Sequence, residues 1–318
     1  MNERISRAAA LRALAGACAV AATSGVTDAQ AFAKITVVAV PIDISAAPYY
    51  AADQGFFRRA GLDAQVLTMG GGPAIIAAML NGALDFGSAG ITSIAIAHQN
   101  GIPILMVAPA GSYTSKSPTG GLLVARNSPL RTAKDLIGKT VGVGSLKVGA
   151  TVALQAWLDK NGVAPDAVKL VEVPFASIEA ALEAGRIDAA ETEEPYFGDA
   201  LEHGARLFAP VYDGIAPEWL EGAYVCTAAF AKAHPDVVLR FRDAIAATNT
   251  WANANHAASA VILEKYTKQP VPPTMTRVTF TPRLRVEDVQ PVIDISAKYG
   301  LIKSSFPAAD VIAPGVLG

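Results

Sequence analysis

A chain of 318 residues, 52% of them hydrophobic and 17% charged, can bury one large core or two ordinary ones and is too apolar to be disordered. The formal net charge of -2 excludes a gross electrostatic affinity for nucleic acid or an anionic membrane, and short basic pairs such as Arg58-Arg59 do not change that. With only Cys18 and Cys226 available, the fold must be held by its core and not by a disulfide framework.

The first segment differs from the rest. Arg4, Arg7 and Arg12 precede a small apolar run at 13–26, and A-x-A sites follow at 29–31 and 31–33. A positive start, a short apolar middle and a small-residue cleavage site describe a secretory signal peptide over residues 1–31. The run is too short to span a bilayer as a helix. No adjacent arginine pair opens it, so twin-arginine export is not expected. Cleavage near Ala31 is favoured over lipid anchoring at Cys18 and sends the protein to the periplasm. Cys226 is then left alone in an apolar run, where a buried inert thiol is expected.

Residues 34–40 (KITVVAV) read as a buried strand that Pro41 ends. Ser45 is placed to cap a helix through Tyr49 and Tyr50 to Gly55. A strand at 64–69 leads into Gly70-Gly71-Gly72-Pro73, and Pro73 suits the first turn of a helix over 74–81. A strand at 85–88, a helix at 91–99 and a strand at 104–108 continue the alternation, which predicts a mostly parallel sheet flanked by helices. Residues 111–121 are rich in Gly, Ser, Pro and Thr and read as a loop, and the strand at 122–125 crosses into a second lobe. There the pattern predicts strands at 140–144, 170–173, 189–191 and 207–211 with helices at 132–137, 148–160, 178–184 and 196–203. A loop at 213–221 and a strand at 223–228 return to the first lobe. The remainder is helical: a long segment at 236–266 broken near 253–255, three prolines at 270–273, and a helix at 286–299.

This gives an α/β fold of two lobes, each a mixed, mostly parallel sheet flanked by helices, with two hinge crossovers near 122–125 and 213–223. Lobe I is residues 32–124, lobe II is 125–221, and residues 222–318 complete lobe I and add the C-terminal helices. A short internal repeat supports two lobes. Ala77–Thr92 (AAMLNGALDFGSAGIT) is echoed by Ala180–Glu191 (AALEAGRIDAAE), with Gly82 over Gly185 and Asp85 over Asp188. In each copy an alanine-rich helix ends at a glycine, an apolar residue and an aspartate follow, and a short strand opens. The loop after such a strand is where open α/β sheets bind ligands.

Three glycine–hydroxyl helix starts follow predicted strands. Gly70-Gly71-Gly72 offers bare N–H groups; Ser88, Ala89, Gly90 and Thr92 form the second; Ser145, Lys147, Val148 and Gly149 form the third. Converging N–H groups and the helix dipole suit a carboxylate, sulfonate or phosphate. Neither a P-loop ending nor a dinucleotide fingerprint is present, so no nucleotide cofactor is implied. The acidic run Glu191, Glu193, Glu194 before Tyr196 is either a solvated face or a receiver for an amine or hydroxyl of a ligand. Four scattered histidines and the absence of ligand spacings or GxSxG leave catalysis and metal binding without support.

Four stretches carry a resemblance: APYYAADQGFF at 47–57, Gly70–Pro73 into LDFGSAGIT at 84–92, VGVGSLKVG at 141–149, and DAAETEEPY at 188–196. With these the chain resembles the substrate-binding proteins of nitrate/sulfonate/taurine-type ABC importers, a branch of the type II periplasmic binding fold related to the thiamine-pyrimidine binding proteins. The resemblance implies ligand contacts near Ser45, Ala46 and Tyr49, at Gly71 and Gly72, from Ser88 to Thr92, from Ser145 to Gly149, and near Glu191, Glu194 and Tyr196. It also implies a membrane permease and an ATPase as partners, with the receptor itself a monomer. The acidic run, with no arginine in the matched loops, argues against nitrate or another bare anion. It favours a sulfonate or carboxylate with a second polar or aromatic end. The alternatives are an enzyme on the same fold, such as a thiamine-pyrimidine synthase or a dehydratase-like lyase, and the effector domain of a transcription regulator. The export signal and the missing acid–base cluster argue against the first. The lack of a basic helix-turn-helix segment before residue 34 argues against the second.

Overall fold

The computed structural model describes residues 32–317; the expected signal peptide lies outside them. In chain order the elements are β1 (Ala33–Ala39), α1 (Ala47–Asp53), α2 (Phe56–Arg59), β2 (Leu62–Thr68), α3 (Gly72–Leu80), β3 (Phe86–Gly90), α4 (Ile91–Gln99), β4 (Ile104–Pro109), β5 (Gly111–Thr114) and β6 (Gly120–Val124). There follow β7 (Thr140–Val143), α5 (Gly149–Lys160), β8 (Lys169–Glu172), α6 (Ile178–Glu183), β9 (Ala189–Glu193), α7 (Tyr196–Glu202), β10 (Arg206–Ala209), β11 (Glu218–Leu220) and β12 (Gly222–Thr227). The chain ends with α8 (Ala228–Ala233), α9 (Pro235–Ala254), α10 (His256–Thr267), β13 (Thr279–Phe280) and α11 (Val286–Lys298). Among the described residues no helix is long and apolar enough to cross a membrane.

Two five-stranded sheets share one plan. The first runs β2-β1-β3-β12-β4 and the second β8-β7-β9-β6-β10. In the first, Val37 of β1 lies opposite Val66 of β2 and Phe86 of β3, both parallel, and β12 enters antiparallel between β3 and β4. In the second, Val141 of β7 lies opposite Leu170 of β8 and Ala189 of β9, both parallel, and β6 enters antiparallel between β9 and β10. The antiparallel strand of each sheet is the one the chain reaches by crossing over. β6 belongs to the second sheet although a boundary after residue 124 assigns it to lobe I, because its Leu123 pairs with Ala190 and Leu207.

The two stretches read as loops each contain a strand, and these strands pair with one another. Tyr113 of β5 lies opposite Trp219 of β11, and Ser112 opposite Thr279 of β13, so the crossings form a small sheet of order β11-β5-β13. Their short sequences, GSYT and EWL, carry no usable alternation. The long C-terminal segment breaks at Asn255, inside the expected interval. Helix α9 packs Phe241 flat on Phe86 of β3, with ring centroids 4.0 Å apart. Cys226 is buried in β12, and burial pushes its thiol up to about 12, so it is inert at neutral pH.

The repeat does the same job twice. Gly82 and Gly185 take left-handed φ values of 72° and 64°. In each, the glycine N–H and the next one close the preceding helix: Gly82 and Ala83 donate to Met79 and Ala78, Gly185 and Arg186 to Leu182 and Ala181. The aspartate then staples the new strand to the first strand of its sheet. Asp85 accepts from the Thr36 N–H at 2.8 Å and Asp188 from the Thr140 N–H at 2.9 Å, while the aspartates' own N–H groups donate back to Thr36 and Thr140. Asp85→Ala and Asp188→Ala should each lower unfolding free energy in urea by about 1–3 kcal/mol, since each strips a half-buried amide of its partner. The two losses should add, because the residues act in separate sheets.

Candidate functional site

Strand β9 brings Glu191 and Glu193 to one face, as alternation requires, and both carboxylates meet the Tyr212 hydroxyl. Tyr212 sits in a 3-10 turn (Val211–Gly214) after β10. Gly120 of β6 makes room for its ring: a Cβ there would lie 2.8 Å from the ring edge. The Trp219 indole donates to the Tyr212 carbonyl at 3.2 Å, and the Tyr113 hydroxyl donates to Asp213 at 2.8 Å. Both rings pack against Tyr212, so the crossing sheet buttresses it.

Glu221 lies where β11 passes into β12. Its N–H donates to Gly111 of β5, and its carbonyl accepts from Ile91, the first residue of α4. Its side chain is buried, and Oε1 has no partner among the described residues. Burial, then the charges of Glu193, Glu191 and Asp43, push its pKa well above the carboxylate range. Glu191 is raised by burial and by Glu193, against the opposing pull of Tyr212 and the Gly144 N–H; Glu193 is raised by burial. Glu194, at the end of β9, accepts from the Gly198 N–H at 2.9 Å, and burial pushes it up to about 7. It also feels Asp43 and Arg277 of the other lobe. Asp43 and Arg277 form a buried ion pair at 2.8 Å, and Asp43 further accepts from the Val278 N–H and the Tyr50 hydroxyl.

The residues expected at the site fall into three groups. Ala89 and Gly90 run beside β12, and Thr92 in α4 faces Gly149 at the start of α5: a Cβ on Gly149 would lie 3.5 Å from Thr92 Oγ1 and 3.6 Å from the Trp219 ring. Two of the three helix starts therefore meet, with Glu221 and Trp219 beside them. Glu191 and Glu194 are buried and not a solvated run. In a second group the hydroxyls of Ser88, Tyr49 and Ser145 are engaged within the fold and Ser45 is buried. The Ser88 hydroxyl accepts from the Val40 N–H at 3.1 Å and does not cap α4, whose N-cap is Gly90. Tyr49 is fully buried, donates to the Ala39 carbonyl at 2.8 Å and stacks on Tyr266. Ser45 is buried in a 3-10 turn (Asp43–Ser45) and does not cap α1, which follows buried Ala46. The Ser145 hydroxyl donates to Glu172 at 3.3 Å, and α5 is capped at Val148. In the third group Lys147 and Gly71 are exposed, Gly72 is half-buried against Ala89, and Tyr196 is half-buried and stacks on Phe175.

Tyr212, Glu221, Asp43 and Arg277 are functional candidates the sequence did not single out. Only Glu221 carried a signal, being an acid at a predicted crossing. Asp43 and Arg277 are 234 positions apart, and no local pattern links them. Among the described residues a metal could be held by Glu179, Asp199 and His203, but these lie at the surface and His203 already pairs with Glu179 at 3.0 Å. A hollow of about 370 Å3 beside them shares no residue with the acidic cluster.

Two like-ordered sheets, joined by two crossings that pair with each other and with polar side chains converging from both sides, define a two-lobed type II periplasmic binding protein fold. Residues 44–258 match the family described as NMT1/THI5 like, and the chain belongs to that family. It is similar to a binding protein of Brucella abortus, 24% identical over 220 residues that cover 69% of this chain and 66% of the relative. It thus spans just under two thirds of that relative's length. The taurine-binding periplasmic protein of Escherichia coli is 27% identical over 222 residues, 67% of this chain and 64% of that one. Among solved structures, the alkanesulfonate-binding protein SsuA of Xanthomonas axonopodis pv. citri, bound to MOPS, superposes with a TM-score of 0.71 at 20% identity over 88% of this chain and 98% of that one.

Proposed function

We propose that this protein is the extracytoplasmic solute-binding component of an ABC importer. It closes on a small organic acid, a sulfonate or carboxylate with a second polar end, and hands it to a membrane permease and its ATPase without changing it. The observation that carries this reading is the meeting of α4 and α5 at Thr92 and Gly149: two helix N-termini, one from each sheet's lobe, face one another beside the crossing strands. On this reading residues 1–31 are a cleaved signal peptide, the receptor works as a monomer in the periplasm, and the lobes hinge at β5 and β11. Ligand contacts come from Ala89, Gly90 and Thr92 on one side and from Val148, Gly149, Glu191 and Glu194 on the other. Ser45, Gly72, Ser88 and Ser145 shape the walls.

Buried carboxylates with raised proton affinity are also what an acid–base enzyme would use, so the decisive test is the fate of the solute. The protein is purified from the periplasmic fraction, sprayed under native conditions, and then denatured to release what it holds. A single small molecule retained stoichiometrically and recovered unaltered after incubation is expected. A mass change in that molecule on incubation, or recovery of the protein from the cytoplasm alone, would sink the proposal.

A further inference from the structure

The acidic cluster names the other end of the solute. Glu191 and Glu193 share one hydroxyl hydrogen, that of Tyr212, which cannot satisfy both. Glu221, 8% exposed and two residues on from Trp219, whose ring packs on Tyr212, leaves its Oε1 without a partner among the described residues and feels the charges of Glu193 and Glu191. Among the described residues none of the three forms an ion pair; Arg277 is engaged by Asp43, Tyr50 and Ser259. Two buried carboxylates, Glu191 and Glu221, beside the half-buried Glu193 and with no cation are costly unless protons or a ligand neutralise them.

We propose that the bound solute presents a protonated nitrogen, an ammonium or amidinium, to Glu191, Glu193 and Glu221, with the Tyr212 hydroxyl seated among them. This rests on the solute-receptor reading and deepens it: any acid group of the solute lies toward the helix starts, and its cationic nitrogen toward β9 and the crossing strand. The groups facing the nitrogen are Glu191 and Glu193 from β9, Glu221 from the crossing, Tyr212 from its turn, Tyr113 with Asp213 behind it, and Asp43 paired with Arg277. With the carboxyls partly protonated in the empty site, a cation entering it displaces protons into solution.

The test is calorimetry on the mature protein, stripped of any retained solute, with taurine, 4-aminobutyrate and benzamidine, each beside ethanesulfonate, butyrate and benzoate. At least one nitrogen-bearing compound should bind tenfold or more tighter than its counterpart. In buffers of different ionisation heat that binding should release protons at pH 7. Glu221→Gln and Glu191→Gln should each weaken it tenfold or more while raising the melting temperature of the empty protein at pH 8, since each removes a buried charge. Equal or tighter binding of the nitrogen-free compounds, or proton uptake, overturns the proposal and leaves the receptor reading standing. Binding by neither set overturns it too; if native spectra then also show no retained solute, the receptor reading falls with it.

Discussion

Asp43→Ala is expected to destabilise the protein by about 3–5 kcal/mol, read from urea unfolding at neutral pH. The Asp43–Arg277 pair is almost wholly out of water, with side chains 1% and 6% exposed. Burial disfavours the charged guanidinium, and the hydrogen bonds and charge of Asp43 more than offset it. Removing the carboxylate leaves a buried cation with only the Tyr50 and Ser259 hydroxyls and a backbone carbonyl around it. It also strips the Val278 N–H of its acceptor. Replacing both partners by apolar residues of similar size, Asp43→Leu with Arg277→Met, should recover much of the loss, because the uncompensated charge disappears. A single-variant loss under 1 kcal/mol would show that water reaches the pair. The effect bears on function because Asp43 opens the turn that carries Ser45, and Arg277 holds the segment facing Glu194.

The empty protein should be less stable at pH 8 than at pH 5, the reverse of what paired surface carboxylates produce. Glu191, Glu193, Glu194 and Glu221 all have folded-state pKa values raised above the unfolded ones, with burial the first cause in each. Below about pH 4.3, the ordinary glutamate value, both states carry these protons and nothing is lost. Above it the unfolded chain releases protons that the folded protein keeps, so stability falls as pH rises, and it levels off past the folded value. For Glu194, raised to about 7, the fall levels off only above neutrality and amounts to about 4 kcal/mol. Surface Asp135, held down by the Arg131 and Thr132 N–H groups, and Asp159, held down by Lys298, act in the opposite sense only at lower pH. Urea unfolding at pH 5, 6, 7 and 8 measures the slope. A flat or rising profile would mean that these carboxyls are ionised and solvated in the empty protein. Glu194→Gln should flatten the part of the profile below pH 7.

The alternation of strands and helices, the helix-ending glycines and the break near Asn255 were legible because each depends on neighbours in the chain. Hydrophobic period, a left-handed φ at Gly82 or Gly185 and a helix stop are local properties, and they settle element type. The repeat was legible for the same reason, and its aspartates proved to be strand staples in both sheets. The hydroxyls were less legible: Ser45 does not cap α1, and Ser88 and Ser145, expected at ligand-facing helix starts, are engaged within the fold. A serine near a helix start can serve several nearby donors and acceptors, and packing chose Val40 for Ser88 and Glu172 for Ser145.

The residues by themselves thus determined an α/β chain of two like halves with helix starts at strand ends, since those features arise from short-range backbone preference. Tertiary structure alone decided the rest. It moved β6 into the second sheet, paired the two crossing strands, set Thr92 against Gly149, and gathered Asp43, Glu191, Glu193, Glu221 and Arg277 from distant parts of the chain. The physical reason is that a carboxylate's meaning depends on what surrounds it. The same run that reads as a solvated charged face in one dimension becomes, once folded, a buried set of acids in need of a counter-charge.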